Sequence, residues 1–181
     1  MVRKIISTVL LLVALIHISV CAQESSLSLK SQAGEVRFST QEQGYWTRLF
    51  FVKNGVPVQL FAAESSYFDG VSESDYSINK AYLKINRLVR GTVYGNGEEE
   101  YERAYCVFVE MLSGCVLRQE TGSFCGGAWG GEETTWIWVG EEINIDERVA
   151  GNALSESDLV SFAEVGGVDN AERCASVKEY K

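Results

Sequence analysis

Apolar and polar residues alternate in short bursts along this chain, and turn residues separate the bursts. The clearest burst runs from Ala81 to Val89. Ala81, Leu83, Ile85 and Val89 take the odd positions, while Lys80, Lys84, Asn86 and Arg90 take the even ones; only Arg87 interrupts the apolar row. A period of two with one wet side predicts a half-buried strand. Gly95-Asn96-Gly97 then turns the chain into Glu98 to Leu112, and Ser113-Gly114 turns it again into Cys115 to Glu120, which predicts a three-strand meander. Upstream, Tyr45 to Lys53 and Val56 to Ala62 flank Asn54-Gly55, a pair that tolerates positive φ at both positions and so specifies a tight hairpin. Leu27 to Lys30 and Glu35 to Ser39 are further short strands, as are Thr134 to Val139 and Glu142 to Ile145. The polar stretch from Glu64 to Asn79 reads as a long loop.

One helix is expected. Ser155 and Asp158 have capping-box spacing, Leu159, Phe162 and Ala163 line one face, and Gly166-Gly167 stops the run. The segment Val168 to Lys181 is ambiguous, with Cys174 placed to pin it to the sheet. The fold class is therefore mainly β: an antiparallel sheet or β-sandwich with one short C-terminal helix.

Composition fits this pattern. The chain has 181 residues, of which 46% are apolar and 23% charged, with a single proline. That is enough to bury one core, and it excludes collagen-like and low-complexity disordered classes. Residues 1–22 stand apart: Arg3 and Lys4 precede an apolar run from Ile5 to Val20, and Val20-Cys21-Ala22 places small residues where signal peptidase cleaves. The run is short for a spanning helix, and the branched Val20 sits where a lipid-anchor motif needs a small residue. The expectation is a secretory leader over 1–22 and one exported domain over 23–181, periplasmic or secreted, with no membrane span after cleavage.

Cleavage changes the charge and the chemistry. Fourteen basic residues would remain against twenty-five acidic ones, moving the net charge from −9 to −11. Such a balance disfavours nucleic acid, which is held mainly by Lys and Arg. The sole histidine, His17, lies in the leader. A processed chain without imidazole has no Ser-His-Asp or Cys-His nucleophile and no histidine metal ligand. The reading is thus a non-enzymatic protein without a cofactor or metal.

Four cysteines would remain, Cys106, Cys115, Cys125 and Cys174. An even number in an exported chain reads as two disulfides, and no C-x-x-C pair supports zinc. With Ser113-Gly114 as a two-residue turn, Cys106 faces Thr121. Cys106 and Cys115 then stand about 20 Å apart along the strand, beyond bridging reach. This favours Cys106 with Cys125 and Cys115 with Cys174, leaving open the pairing of Cys115 with Cys125 and Cys106 with Cys174.

Glu98, Glu99, Glu100 and Glu102 form the densest acidic run. It reads either as a solvated rim or as a docking surface for a cationic partner. Lys80, Lys84, Arg90 and Arg103 form a basic stripe expected to pair with these glutamates. Asp69, Glu73, Asp75 and Asn79 lack the EF-hand spacing for calcium and read as a solvated loop. Trp136 and Trp138 share a strand face and read as core. Trp129, flanked by glycines, is either a plug over the sheet or an exposed anchor.

Ser77-Ile78-Asn79-Lys80-Ala81-Tyr82-Leu83, followed by Tyr105-Cys106-Val107-Phe108-Val109-Glu110 and Ser113-Gly114-Cys115-Val116, resembles the strand pairs of small periplasmic β proteins of Gram-negative bacteria. These include lysozyme inhibitors and immunity proteins that neutralise wall-degrading toxins. The inhibitor families carry a Ser-Gly-x-x-Tyr loop, and here Leu117 stands in the tyrosine position. The resemblance implies a non-enzymatic inhibitor whose loop enters a hydrolase cleft, and the acidic balance, read independently, fits a basic hydrolase or toxin as the partner. The candidate contacts read from the residues themselves are Glu98, Glu99, Glu100, Glu102, Ser113, Gly114 and Trp129. The readings from other classes are a carboxylate-dependent glycosidase and a carbohydrate-binding or structural envelope module.

Overall fold

A computed structural model describes residues 25–61, 65–94, 98–146 and 155–176. The expected leader, Ala62, Glu64, the Gly95-Asn96-Gly97 turn and residues 177–181 lie outside the described residues. The fold is mainly β and antiparallel, as the alternation predicts. The strands are β1 (Ser26–Lys30), β2 (Glu35–Glu42), β3 (Tyr45–Lys53), β4 (Val56–Gln59), β5 (Ser66–Phe68), β6 (Tyr82–Tyr94), β7 (Glu98–Glu110), β8 (Val116–Thr121), β9 (Ala128–Trp129), β10 (Thr135–Trp138) and β11 (Glu141–Asn144). Two helices follow, α1 (Glu156–Gly166) and α2 (Val168–Ser176).

The first eight strands form one sheet in the order β1-β2-β3-β5-β6-β7-β8, with β4 also paired to β3; β11-β10-β9 form a second sheet. Alternation along β6 and β7 divides two cores between the faces of the large sheet. Odd residues Leu83, Ile85, Val107 and Val109 join Val36, Phe38, Leu49, Phe51 and Phe68 in one cluster. Strands β2, β3, β5, β6, β7 and β8 contribute to that cluster, so the sheet curls around it. The curl brings the β1–β2 turn against the β7–β8 turn at Gly34, where a Cβ would collide with the Met111 carbonyl and approach the Phe51 ring. Even residues Tyr82, Cys106 and Phe108 face outward into a second cluster with Leu117, Phe124, Trp136, Ile145 and Phe162. The small sheet and the helices cover this face, giving a sandwich-like second layer.

Local chemistry explains the turns. Asn54 and Gly55 have φ of 52° and 79° and join Lys53 to Val56, the hairpin that the sequence predicts. Gln43-Gly44 and Val139-Gly140 adopt the same positive-φ pair in β2–β3 and β10–β11. Gly167, with φ of 81°, ends α1 after the Ser155–Asp158 capping box, and α2 starts at the next residue. Within the ambiguous C-terminal segment, Val168–Ser176 is therefore a second helix, which Cys174 fastens to the sheet.

Three expectations need correction. The stretch from 64 to 79 contains β5 and a 3-10 turn at Glu73–Asp75. A three-residue strand is too short to show a period. Ser113-Gly114 is part of a wider turn in which the Gly114 amide donates to the Glu110 carbonyl at 2.9 Å, with a bulge between Phe108 and Val109. That shifts the register by one, so Cys106 faces Glu120 and Tyr105 faces Thr121. The basic stripe also divides: Lys80 pairs with Glu73 and Lys84 with Asp75, and among the described side chains only Arg90 forms an ion pair with the acidic run, at Glu102. Arg103 lies over the Tyr101 ring.

Candidate functional site

The β6–β7 pair is longer than the sheet that supports it. Its last rung bonded to β5 is at Val89, opposite Ser66, and its last rung bonded to β8 is at Tyr105, opposite Thr121. Beyond these, Arg90↔Glu102, Gly91↔Tyr101, Thr92↔Glu100, Val93↔Glu99 and Tyr94↔Glu98 pair only with each other among the described residues. These five rungs make a two-stranded arm about 16 Å long. Glu99, Glu100 and Glu102 are exposed on it. Val93 at 54%, Tyr94 at 77% and Tyr101 at 39% exposure put large apolar groups among the carboxylates. Tyr101 lies directly over Gly91, and a Cβ there would displace the ring and its hydroxyl.

At the base of the arm lies a cavity of about 220 Å³ on the outer face of the large sheet. Leu88, Ala104, Gly122 and Cys125 border its apolar part, and Tyr45, Asp69, Asn86 and Glu102 border its polar part. Arg87 and Tyr105 adjoin it in sequence but belong to the other face: Arg87 stacks on Phe61 and bonds Ser66 and Gln119, and Tyr105 packs on the inner core. Asp69 accepts a bond from the Asn86 side chain at 3.2 Å and forms no ion pair among the described residues. Asn86 Oδ1 is closed off from solvent and has no hydrogen-bond partner. Beside it, Arg90 lies over Tyr67 and Tyr45 at 4.6 and 5.3 Å, and its hydrogen bond to Glu102 raises the guanidinium above its ordinary pKa.

The remaining candidate contacts lie elsewhere. Ser113 and Gly114 are buried: the Ser113 hydroxyl donates to Glu110, and the Gly114 carbonyl accepts from Arg173 Nε at 3.2 Å. A side chain at Gly114 would strike the Phe51 ring. This turn holds the two cores together instead of offering a surface. Trp129 is the plug over the sheet. Its ring meets Phe108, Trp136 and Tyr82, and its indole N–H donates to the Asp75 carbonyl at 3.0 Å. Trp136 is fully buried, and Trp138 packs on the same cluster. Asp69, Glu73, Asp75 and Asn79 do not converge; their side chains go to Asn86, Lys80, Lys84 and Glu133 respectively.

The bridges are Cys106–Cys125 and Cys115–Cys174, with Cα atoms 5.1 and 4.8 Å apart. The first anchors the cavity wall to β7, and the second anchors α2 to the β7–β8 turn. Disulfides suit an oxidising compartment. No helix of the described residues is long and apolar enough to cross a membrane.

No family model, curated protein or solved structure matches this chain. The cavity was missed in the sequence because it joins Tyr45, Asp69, Asn86 and Gly122 from four separate segments.

Proposed function

We propose that the chain is an exported binding protein, a periplasmic inhibitor or immunity protein that docks on a cationic cell-wall hydrolase. The arm is the observation that carries this reading. It combines exposed carboxylates, which accelerate encounter with a basic partner, and exposed aromatic and aliphatic groups, which supply contact area once water is excluded. Backbone pairing along five rungs and two disulfides behind the arm limit the freedom lost on docking.

The test measures inhibition of a panel of basic wall hydrolases by the oxidised protein as a function of salt. Association should slow as salt rises, because the attracting charges are exposed and screened. Combining Glu99→Gln with Glu100→Gln should slow association about three- to tenfold, with dissociation nearly unchanged. Failure to inhibit any member of the panel, or turnover of glycan by the protein itself, would remove the proposal.

A further inference from the structure

We infer that the free edge of β7 in the arm, Glu99 to Arg103, is a strand-pairing site for an extended basic segment of the partner. The inference rests on the docking reading above and assigns that reading its mode of contact. Pairing geometry is the first argument. The Asp69 amide donates to the Asn86 carbonyl at 3.2 Å, so the Asn86 backbone points past β5 and away from Cys106, the residue opposite it on β7. Bonding direction alternates along an antiparallel ladder. Cys106, Ala104, Glu102 and Glu100 therefore all turn their backbone groups to the other side of β7, the side that β8 occupies. β8 ends at Thr121 and Gly122 still lies against Ala104, but no described residue bonds the backbone of Glu100 or Glu102 there.

The second argument is how little guards this edge. Sheet edges are ordinarily blunted by a proline, a bulge or a covering segment. The register from Tyr82↔Glu110 to Tyr94↔Glu98 runs without a shift, β7 contains no proline, and Glu99 to Arg103 are all exposed. Charge is the remaining guard, and it is selective. Antiparallel self-pairing centred on Tyr101 would set Glu100 against the Glu102 of a second copy, and like charges directly opposite are destabilising. The Glu99 and Arg103 contacts of that register offset this locally, but not the net charge of −9 on each chain. A basic strand meets neither obstacle.

Side-chain placement is the third. A strand added to this edge puts the residues opposite Glu100 and Glu102 on the face of those carboxylates, and the residue between them opposite Tyr101 on the other face. Glu100 stands across the arm from Thr92 and forms no ion pair among the described residues, whereas Glu102 bonds Arg90. Opposite charges and apolar groups beside a ring both favour cross-strand pairing. The fitting segment thus alternates basic and apolar residues. Main-chain bonds would hold it and the alternate side chains would select it.

The experiment is an NMR titration of the oxidised protein with acetyl-Lys-Val-Lys-Val-Lys-Val-Lys-amide. Two counterparts accompany it: the same peptide with N-methylated lysines, and the peptide with glutamate in place of lysine. The lysine peptide should give saturable shifts at Glu100 and Glu102, and at ten times its Kd it should slow hydrogen exchange of those two amides about tenfold. The N-methylated peptide keeps the charge but lacks the donors, so it should bind at least tenfold more weakly. The glutamate peptide should give no saturable shift. Glu100→Pro removes an edge donor without touching the ladder to β6 and should abolish binding. Glu100→Lys, which keeps the backbone, should weaken the lysine peptide about fivefold. Equal binding of the N-methylated peptide, or no added protection at Glu100 and Glu102, overturns the assignment. So does protection in the free protein that grows with its concentration, the mark of a second copy on the edge. Hydrolase inhibition at full strength in Glu100→Pro removes the edge and leaves the docking reading. Pairing with the lysine peptide without inhibition of any basic hydrolase removes the docking reading and leaves the edge.

Discussion

Asn170 and Val116 exchange two hydrogen bonds: the Val116 amide donates to Asn170 Oδ1 at 2.8 Å, and Asn170 Nδ2 donates to the Val116 carbonyl at 2.9 Å. A side-chain amide thus takes the place of a neighbouring strand at the start of β8, and α2 closes that end of the sheet edge. The same Nδ2 donates to the Phe162 carbonyl, which ties the end of α1 into the arrangement.

Replacing Asn170 by Leu should therefore cost far more than a surface change. The residue is fully buried, and its loss removes the acceptor of the Val116 amide and a donor from each of the Val116 and Phe162 carbonyls. The expected loss is about 3 kcal/mol or more, read from urea unfolding. A change below about 1 kcal/mol would show that water reaches these groups.

The two bridges should differ in weight. Cys115–Cys174 spans 59 residues and Cys106–Cys125 spans 19. Chain-entropy arithmetic gives about 4 kcal/mol for the longer closure and about 3 kcal/mol for the shorter. Guanidinium unfolding of the two double Cys→Ala variants should rank them in that order, and the reverse ranking would assign the larger effect to packing around Cys106.

Acid should weaken the protein through Asp75. Burial pushes this carboxyl up, but Lys84 at 2.5 Å and the Ser72 hydrogen bonds more than offset it, so its pKa lies below the ordinary carboxylate value. The folded state holds the proton less tightly than the unfolded state. The contribution is therefore complete above the unfolded value near ~3.9 and fades as pH falls through the lower folded value. Asp75→Asn should cost about 2–3 kcal/mol at neutral pH by stranding Lys84, and it should flatten the loss of stability below about pH 4. An unchanged acid limb in the variant would place the effect on another carboxylate.

Val139 should be replaceable at a gain. It is 81% exposed, and its φ of 53° is a region that β-branched side chains avoid. Val139→Asn, which tolerates this conformation at the β10–β11 turn, should raise stability by about 1 kcal/mol and raise the melting temperature. A lower melting temperature would mean that the valine methyl groups pack more than their exposure indicates.

Strand and helix periods were legible where one face is wet and the other dry, as in Ala81 to Val89, and where a turn has its characteristic residues, as in Asn54-Gly55. The pairing favoured for the cysteines is the one present, although the bulge at Phe108/Val109 moved the register that argued for it. Gln43-Gly44 and Val139-Gly140 escaped notice because their first residues are not typical of that turn. The burial of Ser113 and Gly114 was not legible either, since it depends on α2 and Phe51, which lie far along the chain. The arm could be read only as an acidic run, because its projection depends on where β5 and β8 stop pairing.

The link between Cys115 and Cys174 has a further effect on survival among proteases. A single cut between Cys115 and Val168 leaves both pieces covalently attached, with the helix of Cys174 still tethered to its strand. Such a nicked molecule would migrate as one species until thiols are added, and it would retain the arm that lies wholly upstream of the break.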